Sequence, residues 1–221
     1  MTAPDPTAAL PVSLPRGRVT RRGRDRGEQL LRVAADLFLA RGYDNVTLDE
    51  IVALAGGSKT NIYRYYGNKQ GFFCHVVEYL CDDFLAPLLS LDVETGGLDG
   101  ALRRLAHTLV AAMLHPRQVA FYRMVVATSA RLPEVGRAWF AHGPAASRAA
   151  FARLLRAQIA SGGIDAGTRV DEVAAQLHGA LVYDFFTRTV MLGAHPDNED
   201  VEAAIDALVR SARRWLSPDA Q

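Results

Sequence analysis

The amino-acid sequence predicts an all-α fold. An amino-terminal domain of three short helices is built round a helix-turn-helix, and a larger helical bundle follows it, about nine helices together. Three observations predict this. Apolar residues recur at three- and four-residue steps through most of the chain after residue 25, and no stretch shows the two-residue alternation of a half-buried strand. Glycine, proline and helix-capping residues interrupt that pattern at intervals of about one helix. The 221 residues, 49% of them hydrophobic, suffice for one large or two modest packed domains.

Residues 1–25 hold Pro, Ala and Thr, then Arg16, Arg18, Arg21, Arg22 and Arg24, with little apolar content to bury, so a disordered basic arm is expected there. Its charges follow its weakly apolar residues instead of preceding an apolar run, which is not the order of a secretory signal, and a cytoplasmic protein is expected. Such an arm suits DNA phosphate or a minor groove, and an untethered tail has the same composition. Over 26–41, Leu30, Ala34, Leu37 and Phe38 recur at helical spacing before Gly42.

The stretch 47–69 carries the most information. Thr47 and Glu50 have capping-box spacing, which starts a helix at Leu48. Ile51, Val52, Leu54 and Ala55 give that helix an apolar face, and Gly56-Gly57 ends it, because glycine enters left-handed backbone at no steric cost. Ser58 caps a second helix in which Ile62 and Tyr66 pack inward. Lys59, Thr60, Asn61, Tyr63, Arg64 and Tyr65 then project outward. That face has the chemistry of a major-groove reader: Lys59 and Arg64 can donate to guanine, Asn61 can pair with adenine, and Thr60 offers a methyl to thymine. Thr47, Ser58, Tyr63, Tyr65 and Lys69 are candidates for holding phosphate. Both lysines of the chain, Lys59 and Lys69, fall in this stretch.

Read with the preceding helix, some fifty residues resemble the DNA-binding domain of the TetR family of bacterial transcriptional repressors. The resemblance is carried by Phe38, Arg41-Gly42-Tyr43, Thr47, Ile51, Ala55-Gly56, Ser58-Lys59, Ile62-Tyr63 and Asn68-Lys69. Gly57 departs from it, standing where a valine or similar residue is usual, as does Thr60, where a small residue is common. The segment from Phe121 onward through 170–192 is more loosely similar to regulators related to AefR. The resemblance implies a homodimer that binds a palindromic operator in double-stranded DNA and is released by a small-molecule effector.

The remaining elements are expected as follows. A helix from Lys69 to about residue 91 carries Phe72, Phe73, Val76, Val77, Leu80, Phe84 and Leu88, with Pro87 as a kink or early end, and is well placed to connect the domains 26–70 and 71–221. Helices are expected over 98–114 and 117–130, a short helical piece over 133–141, and a helix from Pro144 to Gly162-Gly163. Asp171 and Glu172 complement the dipole of a helix over 170–192. Gln176, His178, Asp184 and Arg188 interrupt the apolar run of that helix, so it is read as buried between protein surfaces and no membrane partner is expected. Asn198 caps a last helix to 216.

Net charge is +1, but residues 1–70 hold eleven Lys and Arg against seven Asp and Glu, and residues 71–221 hold fourteen against seventeen. The head is basic and the body slightly acidic. No catalytic set is found, so no enzyme is expected: Gly-x-Ser-x-Gly, His-Glu-x-x-His and Cys-x-x-Cys are absent. Gly57-Ser58-Lys59-Thr60 lacks the glycines of a phosphate-binding loop, having Ser58 and Ala53 in their places. Cys74 and Cys81 lie seven apart, about 10 Å at helical rise and too far for a disulfide. They are read as core cysteines, in preference to a metal or thiol sensor with His75; no metal and no cofactor are expected.

His107, Tyr122, Trp139, His178 and Phe186 are the candidates for an apolar or aromatic ligand pocket within the second domain. Dimerisation is assigned to the helices 170–192 and 199–216, through Leu177, Leu181, Asp184, Arg188, Leu208 and Trp215. The alternatives are an α-helical enzyme and an effector-independent DNA-architectural protein.

Overall fold

The structure, a computed structural model, describes residues 21–93 and 95–216, and the chain divides into two compact units, Met1–Val77 and Glu78–Gln221. Among the described residues there are ten α-helices and no strand. None of these helices is long and apolar enough to cross a membrane.

The first unit contains α1 (Arg21–Arg41), α2 (Leu48–Ala55), α3 (Lys59–Tyr66) and the opening turns of α4 (Lys69–Leu89). Helix α1 begins ahead of the expected residue 26, because arginine is a good helix former. The rest of the expected basic arm, residues 1–20, lies outside the described residues. Phe38 from α1, Ile51 from α2, Ile62 from α3, and Phe72, Phe73 and Val76 from α4 are fully or almost fully buried. The division falls inside α4, beyond the expected residue 70, because this core takes its last aromatic residues from the first two turns of that helix. On α2, Leu48, Ile51 and Ala55 are buried, whereas Leu54, expected on the same face, is 65% exposed. It lies off the stripe those three residues define along the helix.

The second unit holds the rest of α4, then α5 (Gly97–Leu114), α6 (Pro116–Ser129), α7 (Pro133–His142), α8 (Pro144–Ala160), α9 (Val170–Phe186) and α10 (Asn198–Leu216). The piece expected over 133–141 is a full helix, opened by Pro133 at its first turn. Pro87 lies inside α4, which ends two residues later. Arg153 of α8 donates to the carbonyl of Leu89 at 2.9 Å, a group that the helix end leaves without an intrahelical partner, and to that of Leu91, just past the helix, at 3.2 Å.

The helix expected over 170–192 is not uniform. Its α part stops at Phe186 and one π-helical turn follows, Thr187–Met191, in which Leu192 N–H donates to Thr187 O at 3.3 Å. Arg123 of α6 accounts for the change: its Nε donates to Val190 O at 3.2 Å and its Nη2 to Thr189 O at 3.3 Å, so these carbonyls have partners outside the helix.

The core of this unit joins Leu102, Leu105 and Leu109 of α5 to Phe151 and Leu155 of α8 and to the inner faces of α9 and α10. Three residues expected at an interface between copies, Leu177, Leu181 and Leu208, are buried in that core within one chain. Helical periodicity marked them as apolar, and the chain's own α5 and α8 already cover them. The outer faces carry instead Gly179, Ala180 and Tyr183 on α9, and Ala203, Ala207 and Arg210 on α10. Asp184, exposed, and Arg188, half-buried, pair with one another at 3.6 Å, Arg188 also meets Asp200 at 2.8 Å, and Trp215 is 47% exposed.

Gly71, in the first turn of α4, has no room for a side chain, because a Cβ there would lie 2.1 Å from Tyr66 O. Gly71→Ala is therefore expected to lower stability by about 1–3 kcal/mol through overpacking. Gly27→Ala, at a position in α1 with nothing within 4 Å, is expected to raise it by about 0.5–1 kcal/mol through helix propensity. Chemical denaturation followed by circular dichroism checks both; equal effects from the two substitutions would contradict the packing described.

Candidate nucleic-acid interface and ligand cavity

The reading helix is set by its two ends and one buried side chain. At the start of α2, Thr47 N–H donates to Glu50 Oε2 at 2.8 Å while Glu50 N–H donates to Thr47 Oγ1 at 3.2 Å, the reciprocal pair expected from the sequence. Arg41 adds a bond to Glu50 Oε1 at 2.9 Å. The Thr47 backbone bond, then Arg41 and the Thr47 hydroxyl, hold the Glu50 carboxyl down to about 2, so the cap stays ionised well into acid. Gly56, at φ 75°, closes α2 with its N–H on Val52 O. Ser58 Oγ accepts from Asn61 N–H at 3.2 Å and starts α3, and Ile62 is the residue of α3 that enters the core.

A second tie joins the α1–α2 loop to the start of α4. Tyr43 packs against Phe38 and Phe73, with ring centroids 6.0 and 4.8 Å away. Lys69 Nζ donates to Tyr43 O at 2.7 Å and lies 4.3 Å from the centre of its ring. Burial pushes the Lys69 ammonium below its ordinary value.

Of the expected base-contacting residues, Thr60, Asn61 and Arg64 are exposed together on α3. Lys59 is half-buried and pairs with Asp49 at 2.8 Å, a bond that raises its pKa. Among the expected phosphate-holding residues, Ser58, Tyr63 and Tyr65 are exposed, Arg64 lying over the Tyr65 ring at 5.1 Å. The Thr47 hydroxyl is engaged in the cap, where it also donates to Glu50 Oε2, and Lys69 is engaged with Tyr43. These two side chains brace the reader as well as lying beside it.

The second unit holds a cavity of about 290 Å³ between α4, α5, α6, α7, α8 and α9, open to solvent on one side where exposed Tyr183 lines it. Tyr122, Trp139, His178 and Phe186, expected as pocket residues, all line it. The Tyr122 ring sits edge-on to Trp139 at 5.9 Å and to Phe186 at 5.1 Å. His107, the fifth, does not: on α5 it faces α10, with its Nε2 3.5 Å from Glu202. Ser147, Arg148, Gln118 and Cys81 also line the cavity. The sequence reading did not assign them to it. A lone arginine or glutamine on an apolar helix could have flagged two of them.

The polar groups of the cavity divide into satisfied and unsatisfied. Ser147 Oγ donates to Pro144 O at 3.1 Å and so accepts from His178 Nε2–H at 2.7 Å, which makes His178 the Nε2-protonated neutral tautomer. Burial, then the Arg148 charge, lower His178 to about 4. Burial raises the Tyr122 phenol to about 12, against a hydrogen bond from Gln118. It raises the Cys81 thiol as well, so Cys81 is an inert buried thiol. Gln118 Oε1 and Arg148 Nε are buried without a partner. Among the described residues no cluster of three His, Cys, Asp or Glu side chains is placed to hold a metal ion.

Comparison with known proteins adds two family matches. Residues 30–76 match the family described as bacterial regulatory proteins, tetR family, and residues 100–214 match the AefR-like transcriptional repressor, C-terminal domain. The chain is 36% identical over 95 residues to the DNA-binding transcriptional repressor TetR of Mycobacteroides abscessus, a match covering 40% of this chain and 48% of that one. The chain thus spans about half the length of that curated relative. Among solved structures, a TetR-family regulator from Mesorhizobium loti superposes with a TM-score of 0.75 at 26% identity, covering 88% of this chain and 97% of that one. The flavonoid-responsive regulator FrrA superposes with a TM-score of 0.73 at 25% identity, covering 89% and 100%.

The buried neutral imidazole carries a pH dependence. His178 takes a proton near its ordinary 6.5 in the unfolded chain but only near 4 in the folded one. Its contribution is therefore complete above pH 6.5 and is lost as pH falls through 4, by up to about 3 kcal/mol. His178→Gln should remove this component, so the stability difference between parent and variant should shrink by a comparable amount from neutral pH to pH 4. A difference that does not change with pH would contradict the assignment.

Proposed function

We propose, from the premise that this chain belongs to the TetR family of bacterial transcriptional regulators, that it is a cytoplasmic, homodimeric repressor released from a palindromic operator by an apolar or aromatic small molecule. The observation that carries the DNA-binding part is the exposed donor face of α3, Thr60, Asn61 and Arg64, on a helix capped at its start and anchored through Ile62. One short helix reads too few bases to specify an operator, and two copies on a two-fold axis read a palindrome. Support for an effector comes from the aromatic-walled cavity, to which an effector-independent architectural protein would give no role. The name of the flavonoid-responsive relative points to aromatic ligands as well. An effector alters DNA affinity only through its different affinities for two conformations of the protein. Helix α4, which has residues in both units, is the element we assign to carry that difference.

Selection of bound fragments from genomic DNA tests the reading by returning one palindrome. On that site Asn61→Ala is expected to cost about 1–3 kcal/mol and relax one base position, while Lys69→Ala weakens specific and non-specific binding together and lowers the salt slope by about one. Unchanged base preference in an Asn61→Ala, Arg64→Ala double variant would sink the assignment of α3 as the reader.

The dimer is assigned to the outer faces of α9 and α10. Glutamates at Ala180 and Ala207, both exposed, should dissociate it without unfolding the chain, because neither residue contributes to the monomer core. Sedimentation equilibrium decides: a monomeric parent at micromolar concentration, or a variant still dimeric, would defeat this interface.

A further inference from the structure

The cavity is selective in its polar chemistry as well as apolar in its walls. Three of its polar side chains are provided for: Ser147 and His178 bond to one another, and Tyr122 bonds Gln118. Two polar atoms are left over. Gln118 is only 7% exposed, lines the cavity, and its Oε1 has no partner. Arg148 lines the same cavity with its Nε buried and unpartnered, and its guanidinium lies 5.2 Å from the centre of the Phe140 ring. No Asp or Glu is among the lining residues, so the Arg148 charge has no counter-charge there. Orphaned buried polar atoms are uncommon in folded proteins, and a ligand is one of the few arrangements that accounts for a pair of them in one cavity.

We propose that this cavity binds a hydroxylated aromatic acid, with its carboxylate on Arg148, its ring against Tyr122, Trp139 and Phe186, and its hydroxyl on Gln118. The proposal rests on the effector reading given above and narrows it to a ligand class. Arginine matches a carboxylate in both charge and geometry. A hydroxyl both donates and accepts, so it satisfies the Gln118 amide in either orientation. Edge-to-face aromatic walls suit a planar ring, and about 290 Å³ gives room for a ring with a short acidic arm. A neutral His178 leaves Arg148 as the lone full charge on the cavity wall, so an anion meets no opposing carboxylate and no second cation.

The test is calorimetric titration of the full-length protein with three probes of nearly equal size: 4-hydroxycinnamate, cinnamate, which lacks the hydroxyl, and 4-hydroxycinnamyl alcohol, which lacks the carboxylate. 4-Hydroxycinnamate is expected to bind tightest, each truncated probe binding roughly tenfold more weakly. Arg148→Gln should erase the advantage of the acid over the alcohol while leaving the alcohol's affinity unchanged. Gln118→Leu should erase the advantage of the hydroxyl in the same way. The alcohol is the internal control that Arg148→Gln keeps its cavity, and cinnamate, which lacks the hydroxyl, is the control for Gln118→Leu. Binding of all three probes with equal affinity, or an acid advantage that survives Arg148→Gln, would overturn the ligand class and leave the effector cavity standing. Failure of all three to bind at millimolar concentration would overturn both.

Discussion

An eight-residue helix has too few internal hydrogen bonds to offset its nucleation cost in water, so α3 depends on what surrounds it. The burial of Ile62 is the interaction on which the first unit turns, because it is the fully buried side chain of the reading helix, with half-buried Tyr66 packing edge-on to Phe72 at 5.0 Å beside it. The rest of the unit sets the angle at which that one residue is held. Thr47, Glu50 and Arg41 fix where α2 begins, Gly56 lets the chain turn, and Ser58 sets the first residue of α3. Lys69 and Tyr43 close the frame from the other side. A residue that braces a reader is as necessary to DNA recognition as one that touches a base, and Lys69, bonded to Tyr43 O, is such a brace.

The second unit is organised by a different constraint, the pairing of polar groups inside an apolar bundle. Arg153 and Arg123 show how it is met, each reaching from one helix to carbonyls that another helix leaves over. Where Arg123 does so, the end of α9 relaxes into a π-turn next to Phe186, a residue of the cavity wall. In the cavity itself the pairing is incomplete at Gln118 and Arg148. The proposed ligand would complete that pairing, whereas an empty apolar void carries no orphaned donors or acceptors.

Features that depend on near neighbours were legible in the sequence. Thr47 and Glu50 are three residues apart, and their reciprocal bonds follow from that spacing; Ser58, Gly56 and the inward Ile62 are equally local. Features that depend on distant partners were not. Leu177, Leu181 and Leu208 have the periodicity of a buried face, but periodicity does not say whether the chain's own helices or a second copy covers it. His107 has the same helical setting as His178, yet one meets Glu202 on a neighbouring helix and the other meets Ser147 in the cavity. The π-turn follows from an arginine more than sixty residues away. Arg148 and Gln118 became informative only once their missing partners could be seen.

The claim that α3 is pre-organised before it meets DNA is tested most directly by amide hydrogen exchange on the protein without DNA. The account predicts that the amides of Ile62, Tyr63 and Tyr66 exchange as slowly as those of α1 packed against the same core, because the caps and the buried Ile62 hold them together. Exchange of these amides at unfolded-chain rates while α1 remains protected would contradict it, and would mean that the reading helix forms only on DNA.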